Sequence, residues 1–165
     1  MNYAFTLVLN GASPDTSDFE DNLFEAGCDD ALVCFCGSTP YLEFDREADS
    51  AVTAISTAIE AVQSAGYRVV SIEQAGFVTL TAAAKLADIN KQTLNNYTKG
   101  IRGAGDFPAP RYGLQSGTPL YYWPQIANWL VAQGKVEPLV AEIAGAAVEL
   151  TRKLEDDQGV LAAAL

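Results

Sequence analysis

Residues 79–100, TLTAAAKLADINKQTLNNYTKG, decide how the chain is read. The stretch predicts two short helices joined by a tight turn. Thr81 is placed as the N-cap of the first, Ala82 to Ala87. Asp88-Ile89-Asn90 makes the turn, Asn90 caps the second helix from Lys91, and Gly100 ends it. A helix-turn-helix needs a small residue where the helices touch, a turn residue four positions on, and an apolar residue six beyond that. Ala84, Asp88 and Leu94 hold those places, with Ile89 plugging the core. Asp is one of the few residues besides Gly that visits the left-handed conformation a tight turn demands.

The downstream sequence adds to this pair. Ile101 to Asp106 reads as a flexible basic loop, and Phe107-Pro108-Ala109-Pro110-Arg111-Tyr112 as an extended strand entry. Leu114 to Leu120 reads as a hairpin tip, with Tyr121-Tyr122-Trp123 as the return strand. Pro124 suits a first helical turn, and Ile126, Trp129 and Leu130 carry helical spacing.

Thr79-Leu80-Thr81, the helix pair, Arg102-Gly103, Phe107-Pro108-Ala109-Pro110, Trp123 and Trp129-Leu130 together resemble the winged helix-turn-helix of small excisionase-like and MerR-like DNA-binding proteins. The resemblance covers about residues 77–133, a third of the chain. In that group a phrase of the type R-G-x-x-x-F-P-x-P leads into the wing, and a W-x-x-x-x-x-W-L helix packs the wing back on the helix pair. The resemblance implies double-stranded DNA as partner, the second helix in the major groove and the wing against backbone or minor groove. It does not extend to residues 1–76, nor to the dimerisation helix and effector domain of full MerR regulators.

Roles follow from which residues face inward. Leu94 is expected inside and Tyr97 partly so, which turns Lys91, Gln92, Asn95 and Asn96 outward. Gln and Asn bond adenine N6 and N7 bidentately, and Lys reaches guanine or phosphate. Thr93 is read as half-buried or as touching a phosphate or a thymine methyl. Lys85, Lys99, Arg102 and Arg111 are candidates for phosphate, which positions the protein without reading sequence; Gln115 and Ser116 sit at the wing tip. The competing interpretation is a merely solvated helix face. Trp123 and Trp129 are assigned to the core.

Upstream, residues 1–76 read as an acidic β-α-β-β-α-β unit. Tyr3 to Leu9, Ala31 to Cys36, Thr39 to Phe44 and Tyr67 to Glu73 have strand composition, with Gly37-Ser38 as a two-residue hairpin turn. Ser17 and Glu20 form a capping-box pattern before a helix running to Ala26, with Gly27 at its end. Ser50 caps a helix from Ala51 to Ala65 whose stripe is Val52, Ile55, Ile59 and Val62. Right-handed split crossovers make this order a four-stranded antiparallel sheet with both helices on one face, a ferredoxin-like unit. The other face needs a cover: a second copy, the next domain or a ligand. RNA on that face is disfavoured by the charge and by the lack of an RNP1-type run.

Charge varies sharply along the chain. Residues 1–77 carry a net −11, residues 78–135 a net +4 and residues 136–165 a net −4, for −11 over 165 residues. An overall anionic field repels nucleic acid, but the basic block is local. No stretch is long and apolar enough for a membrane span, and no basic start marks a signal peptide, so a cytoplasmic protein is expected. Histidine is absent, and Cys28, Cys34 and Cys36 are odd in number, so neither a zinc site nor a disulfide framework is expected; the cysteines are assigned to a reduced core, with Cys34 and Cys36 on one strand face. No nucleophile–base set, metal cluster or phosphate loop is present, so no enzyme and no cofactor are expected.

Residues 136–165 read as a C-terminal association helix and tail. Leu139, Ile143, Ala146, Leu150 and Leu154 form a near-heptad stripe suited to a homodimer; the alternative is packing on the chain's own domain. The end, Gly159 to Leu165, reads as a frayed tail or a degradation signal. The expected fold class is thus α+β: residues 1–76 ferredoxin-like, 77–135 a winged helix-turn-helix, then the helix. The expected function is a sequence-specific, dimeric transcriptional regulator of bacterial or mobile-element origin. The second expectation is an antitoxin or adaptor whose acidic domain binds a basic protein partner.

Overall fold

The structure is a computed structural model describing residues 1–164, with side chains through Gln158. The chain is α+β, and two compact units divide it: Met1–Gln74 with the chain from Gly145 onward, and Ala75–Ala144.

The first unit is built on β1 (Asn2–Asn10), α1 (Phe19–Glu25), β2 (Ala31–Cys36), β3 (Thr39–Glu47), α2 (Ala51–Ser64) and β4 (Arg68–Ile72). The four strands are antiparallel in the order β2-β3-β1-β4. Period-two alternation explains why β1 is central: Tyr3, Phe5, Leu7 and Leu9 are all buried on one face. The register sets Phe5 opposite Phe44 and Leu7 opposite Leu42, with Ile72 and Val69 completing the layer. The Phe5 and Phe44 rings stack with centroids 5.1 Å apart.

Over that layer α2 buries Ala51, Ala54, Ile55, Ala58, Ile59 and Val62. Its expected stripe is corrected at one end: Val52 is exposed, because Ala51 and Ala54 lie on the sheet side of the first turn. Ser50 caps the helix, accepting from Thr53 N at 3.1 Å. The capping box at Ser17 and Glu20 does not form. Asp18 enters α1 with φ 60°, left-handed and without a side-chain cap bond. Thr16 ties the loop instead, its Oγ1 accepting from Ser13 N at 2.8 Å.

Arg46 sits among acids at the end of this core. Its Nε and Nη2 grip both Asp30 oxygens at 2.7 and 2.8 Å, and Nη1 donates to Thr57 Oγ1 at 3.2 Å. The bidentate fork ties the β2 entry to β3, and the Thr57 bond ties β3 to α2. Of the three cysteines only Cys28 is core; Cys34 is half-buried and Cys36 exposed, since β2 is an edge strand. Burial pushes the Cys28 thiol up to about 11 from 9.0; Arg46 opposes this and Asp30 and Asp29 reinforce it. The folded chain therefore holds a proton that the unfolded chain has released, and stability falls as pH rises from 9.0 to about 11. Urea unfolding across that window is expected to show this alkaline loss, and Cys28→Ala to flatten it.

The second unit holds β5 (Phe77–Val78), α3 (Leu80–Ala87), α4 (Lys91–Thr98), β6 (Tyr121–Tyr122), α5 (Trp123–Ala132) and the start of α6 (Pro138–Ala164). The first cap is two residues earlier than expected: Thr79, not Thr81, accepts from Ala82 N at 3.2 Å. Asn90 caps α4 as expected, accepting from Gln92 N at 2.8 Å, and Asp88 between the helices is left-handed at φ 53°. Ala83, Ala84, Ala87 and Leu94 form the contact between α3 and α4, backed by Trp123, Ile126 and Leu130.

The expected long hairpin is also corrected. Tyr121–Tyr122 pairs with Phe77–Val78, and only an isolated bridge joins Tyr112 to Leu120. Pro108 and Pro110 lack the N–H that a ladder uses, so residues 107–111 run extended but unpaired until Arg111 N donates to Leu120 O at 2.9 Å. Trp123 is the first residue of α5 rather than the end of a strand.

In α6 the near-heptad stripe is occupied within one chain. Ile143, Ala146, Leu150 and Leu154 are buried, and Leu139 is half-buried. Gln158 Nε2 donates to the Val69 carbonyl at 3.3 Å. An association through this stripe would have to displace that packing. The side chains of the tail read as frayed or as a degradation signal lie outside the described residues. Among the described residues no helix is long and apolar enough to cross a membrane.

Candidate nucleic-acid interface

The helix α4 has an inner and an outer side fixed by two residues. Leu94 is fully buried and Tyr97 nearly so, Tyr97 packing 5.2 Å from the Trp129 ring. The opposite side therefore carries Gln92, exposed in the first turn, and Asn96, half-exposed a turn later; Lys91 is exposed on the flank of the first turn. Gln92 Nε2 donates to Asn96 Oδ1 at 3.3 Å, one helical turn apart. Each amide holds the other in place, leaving the Gln92 Oε1 acceptor and the Asn96 Nδ2 donor for a ligand. An acceptor beside a donor is the complement of an adenine edge in the major groove.

Asn95 and Thr93 are half-buried. Asn95 turns toward the helix end, where Thr98 Oγ1 donates to its carbonyl at 2.6 Å and lies 3.5 Å from its Oδ1. Lys85 is exposed on α3, Lys99 is exposed at the C-cap of α4, and Arg102 is exposed in the loop that follows. Among the described residues none of Lys85, Lys91, Lys99, Arg102 and Arg111 forms an ion pair. Uncommitted cations beside a polar helix face suit phosphate.

The loop expected to be flexible is fastened to α5. Trp129 Nε1 donates to Gly105 O at 3.0 Å, and Ala104 N donates to Gln133 Oε1 at 3.3 Å. A Cβ on Gly103 would lie 2.8 Å from the Trp129 ring, so the glycine is what lets the loop lie flat there. Trp129 is half-buried, edge-on to Phe107 at 5.1 Å, which joins the loop to α5.

The segment expected to be a wing is a compact turn over residues 112–120, closed by the bridge between Tyr112 and Leu120. Gly113 has φ +75°, and a Cβ there would lie 2.0 Å from Thr118 O, so no side chain fits. Ser116 Oγ donates to Gly113 O at 3.1 Å, closing the tip, and Gln115 beside it is exposed. Arg111 lies over the Tyr122 ring at 5.1 Å, which holds its guanidinium at the base of the wing. Sequence reasoning missed Tyr112, Leu114 and Ile101, which are exposed at 57%, 63% and 68%. Apolar residues in a loop pattern carry no periodicity that would have marked them.

No family model, curated protein or solved structure matches this chain. The geometry joins Gln92 to Asn96 directly, puts Lys91 and Asn95 on α4 with Lys99 at its C-cap, and puts Arg111, Gln115 and Ser116 in the segment between α4 and β6.

Proposed function

We propose that residues 77–135 are a winged helix-turn-helix that binds double-stranded DNA in a sequence-dependent way, and that the sheet unit before it is ferredoxin-like. The observation that carries this reading is the Gln92–Asn96 amide pair, displayed on the outer side of α4 with Leu94 and Tyr97 buried behind it. α4 is read as the major-groove helix, Lys85, Lys91, Lys99, Arg102 and Arg111 as phosphate contacts, and Gln115 and Ser116 as wing contacts to the backbone. The net +4 of residues 78–135 supports this against the chain's overall −11. The activity is transcriptional regulation by a cytoplasmic protein that acts as two copies, because one short helix reads too few base pairs for specificity alone.

The test is salt dependence with the full chain. Duplexes are first selected from a random pool by binding, and affinity is then measured across salt concentration. Five phosphate contacts per copy correspond to a slope of log K against log salt near −4.5 per copy. Lys99→Ala with Arg102→Ala is expected to reduce the slope by about 2 per copy. Selection that enriches no sequence, or affinity that does not vary with salt, would overturn the reading.

A further inference from the structure

The two edges of the four-stranded sheet are treated differently. At β4 the ladder is broken by a bulge that passes over Val70, and Gln158 Nε2 donates to the Val69 carbonyl. Such devices blunt an edge. At β2 there are none. Ala31-Leu-Val-Cys-Phe-Cys36 pairs with β3 through six consecutive residues without a bulge, carries no charge and no proline, and is free of neighbouring strands on its other side. Leu32 is 62% exposed and Phe35 36%.

The hydrogen-bond phase of β2 is fixed at both ends. Cys36 and Thr39 flank the two-residue turn and form a hydrogen-bonded pair, and pairs alternate from there. At the other end Asp45 N donates to Asp30 O, in the same phase. Leu32, Cys34 and Cys36 therefore spend their backbone groups on β3, and Val33 and Phe35 direct both N–H and C=O to the open side. The Ala31 N–H is already taken by the Cys28 carbonyl at 3.2 Å.

We propose that β2 pairs antiparallel with β2 of a second copy, centred on Cys34, to make a continuous eight-stranded sheet. That register sets Val33 opposite Phe35 twice, so every free backbone group of these residues is used. A register centred on Val33 would need the Ala31 N–H that Cys28 already holds. The occupant is a copy of this chain because the open-edge groups of Val33 and Phe35 answer one another about Cys34 and β2 itself carries no charge; Asp18, Glu20 and Asp21 line the cleft beside Val33 and Phe35, and Glu43 and Asp45 lie one strand further in, on β3. Antiparallel pairing also sets Asp29 and Asp30 of each copy against the uncharged Ser38 and Thr39 of the other, so these two acids do not meet like charges along the paired strands. The proposal stands on the first unit alone and would survive failure of the DNA reading, as the DNA reading would survive its failure.

The test uses the full chain without DNA. Sedimentation is expected to give twice the chain mass of 17.5 kDa at micromolar concentration. Val33→Pro removes an N–H that faces the open edge and none that faces β3, so it is expected to give a folded monomer; Cys34→Lys, which sets two cations face to face on the axis, is expected to do the same. In the proposed register the two Cys34 residues form a non-hydrogen-bonded pair with Cα atoms about 4.5 Å apart, within disulfide reach. Diamide, which takes up the two electrons and two protons of the thiol pair, is expected to link copies of the Cys36→Ser variant and not of Cys34→Ser. A monomeric wild-type chain overturns the proposal. So does a dimer that persists in Cys34→Lys and is not linked through Cys34. If Val33→Pro fails to fold, Cys34→Lys and the cross-link decide.

Discussion

Replacing Gln92 and Asn96 together by Ala is expected to weaken binding to a selected duplex by about 30-fold to 10⁴-fold, because each good base contact contributes about 1–3 kcal/mol. The side chains touch each other at 3.3 Å, so the two single substitutions should not add: removing either leaves the other amide free to turn. Gln92 is exposed and Asn96 half-exposed, and neither packs in the core that holds α4. Thermal stability is therefore expected to change by no more than about 0.5 kcal/mol. Binding to random duplex should be little affected, since the phosphate contacts proposed for Lys91 and Lys99 do not involve the amide pair. Asn95→Ala is the internal control. Ala keeps the backbone carbonyl that accepts from Thr98, and the half-buried Asn95 amide lies outside the Gln92–Asn96 pair, so Asn95→Ala should alter DNA affinity less than loss of Gln92. Fluorescence anisotropy with specific and random duplexes, alongside a melting curve, measures all of these. Equal weakening on both duplexes would show that the amide pair does not read bases, and a large fall in melting temperature would show that it is structural.

The parts of this fold that were legible in the sequence are those where local chemistry and packing agree. Ser50 and Asn90 are caps in both readings because each stands directly before a run with helical spacing. Asp88 is left-handed as the turn pattern demands, and the strands of the first unit follow their alternating residues. The mistakes arose where a second candidate stood close by. Thr79 and Thr81 are equally good caps by type; Leu80 belongs to the helix because it packs against the core of the second unit, which no local rule detects. Ser17 and Glu20 have capping-box spacing, yet the Ser13–Thr16 turn and left-handed Asp18 set the entry to α1. The partner of Tyr121–Tyr122 was misplaced because strand pairing is a long-range choice: Pro108 and Pro110 spoil the nearer strand, and Phe77–Val78, more than 40 positions earlier, has free backbone groups. The stripe in α6 was legible as a stripe, but periodicity does not say whether the covering surface belongs to the same chain. On α4, residue type and helix phase anticipated that Lys91, Gln92 and Asn96 reach solvent. They did not reveal that Gln92 holds Asn96, or that Thr98 claims Asn95.

Trp123→Ala is expected to be the most destabilising single change in the second unit, by about 3–5 kcal/mol, whereas Trp123→Phe should stay within about 1 kcal/mol of the wild type. The side chain is 1% exposed and packs in the cluster with Leu94, Ile126 and Leu130, so truncation to Ala leaves a large cavity beneath both α3 and α4. The Phe variant separates packing from polarity. Among the described residues the indole Nε1 has no hydrogen-bond partner, and a buried unmet donor costs about 1–3 kcal/mol. Phe gives up part of the ring's packing, roughly 2 kcal/mol for the missing atoms, but it also removes that unmet donor, and the two effects oppose each other. The backbone at this position is unaffected by either substitution: Trp123 N still donates to Gly76 O at 3.1 Å, which fastens the start of α5 to the entry of β5. Urea unfolding followed by the fluorescence of Trp129, the other tryptophan of the chain, measures the difference without interference from the substituted residue. A Phe variant as unstable as the Ala variant would mean that the indole N–H contributes stability. A nearly unchanged Ala variant would mean that Trp123 does not hold the helix pair to α5, and the interface on α4 would then have to be positioned by Leu94 and Tyr97 alone.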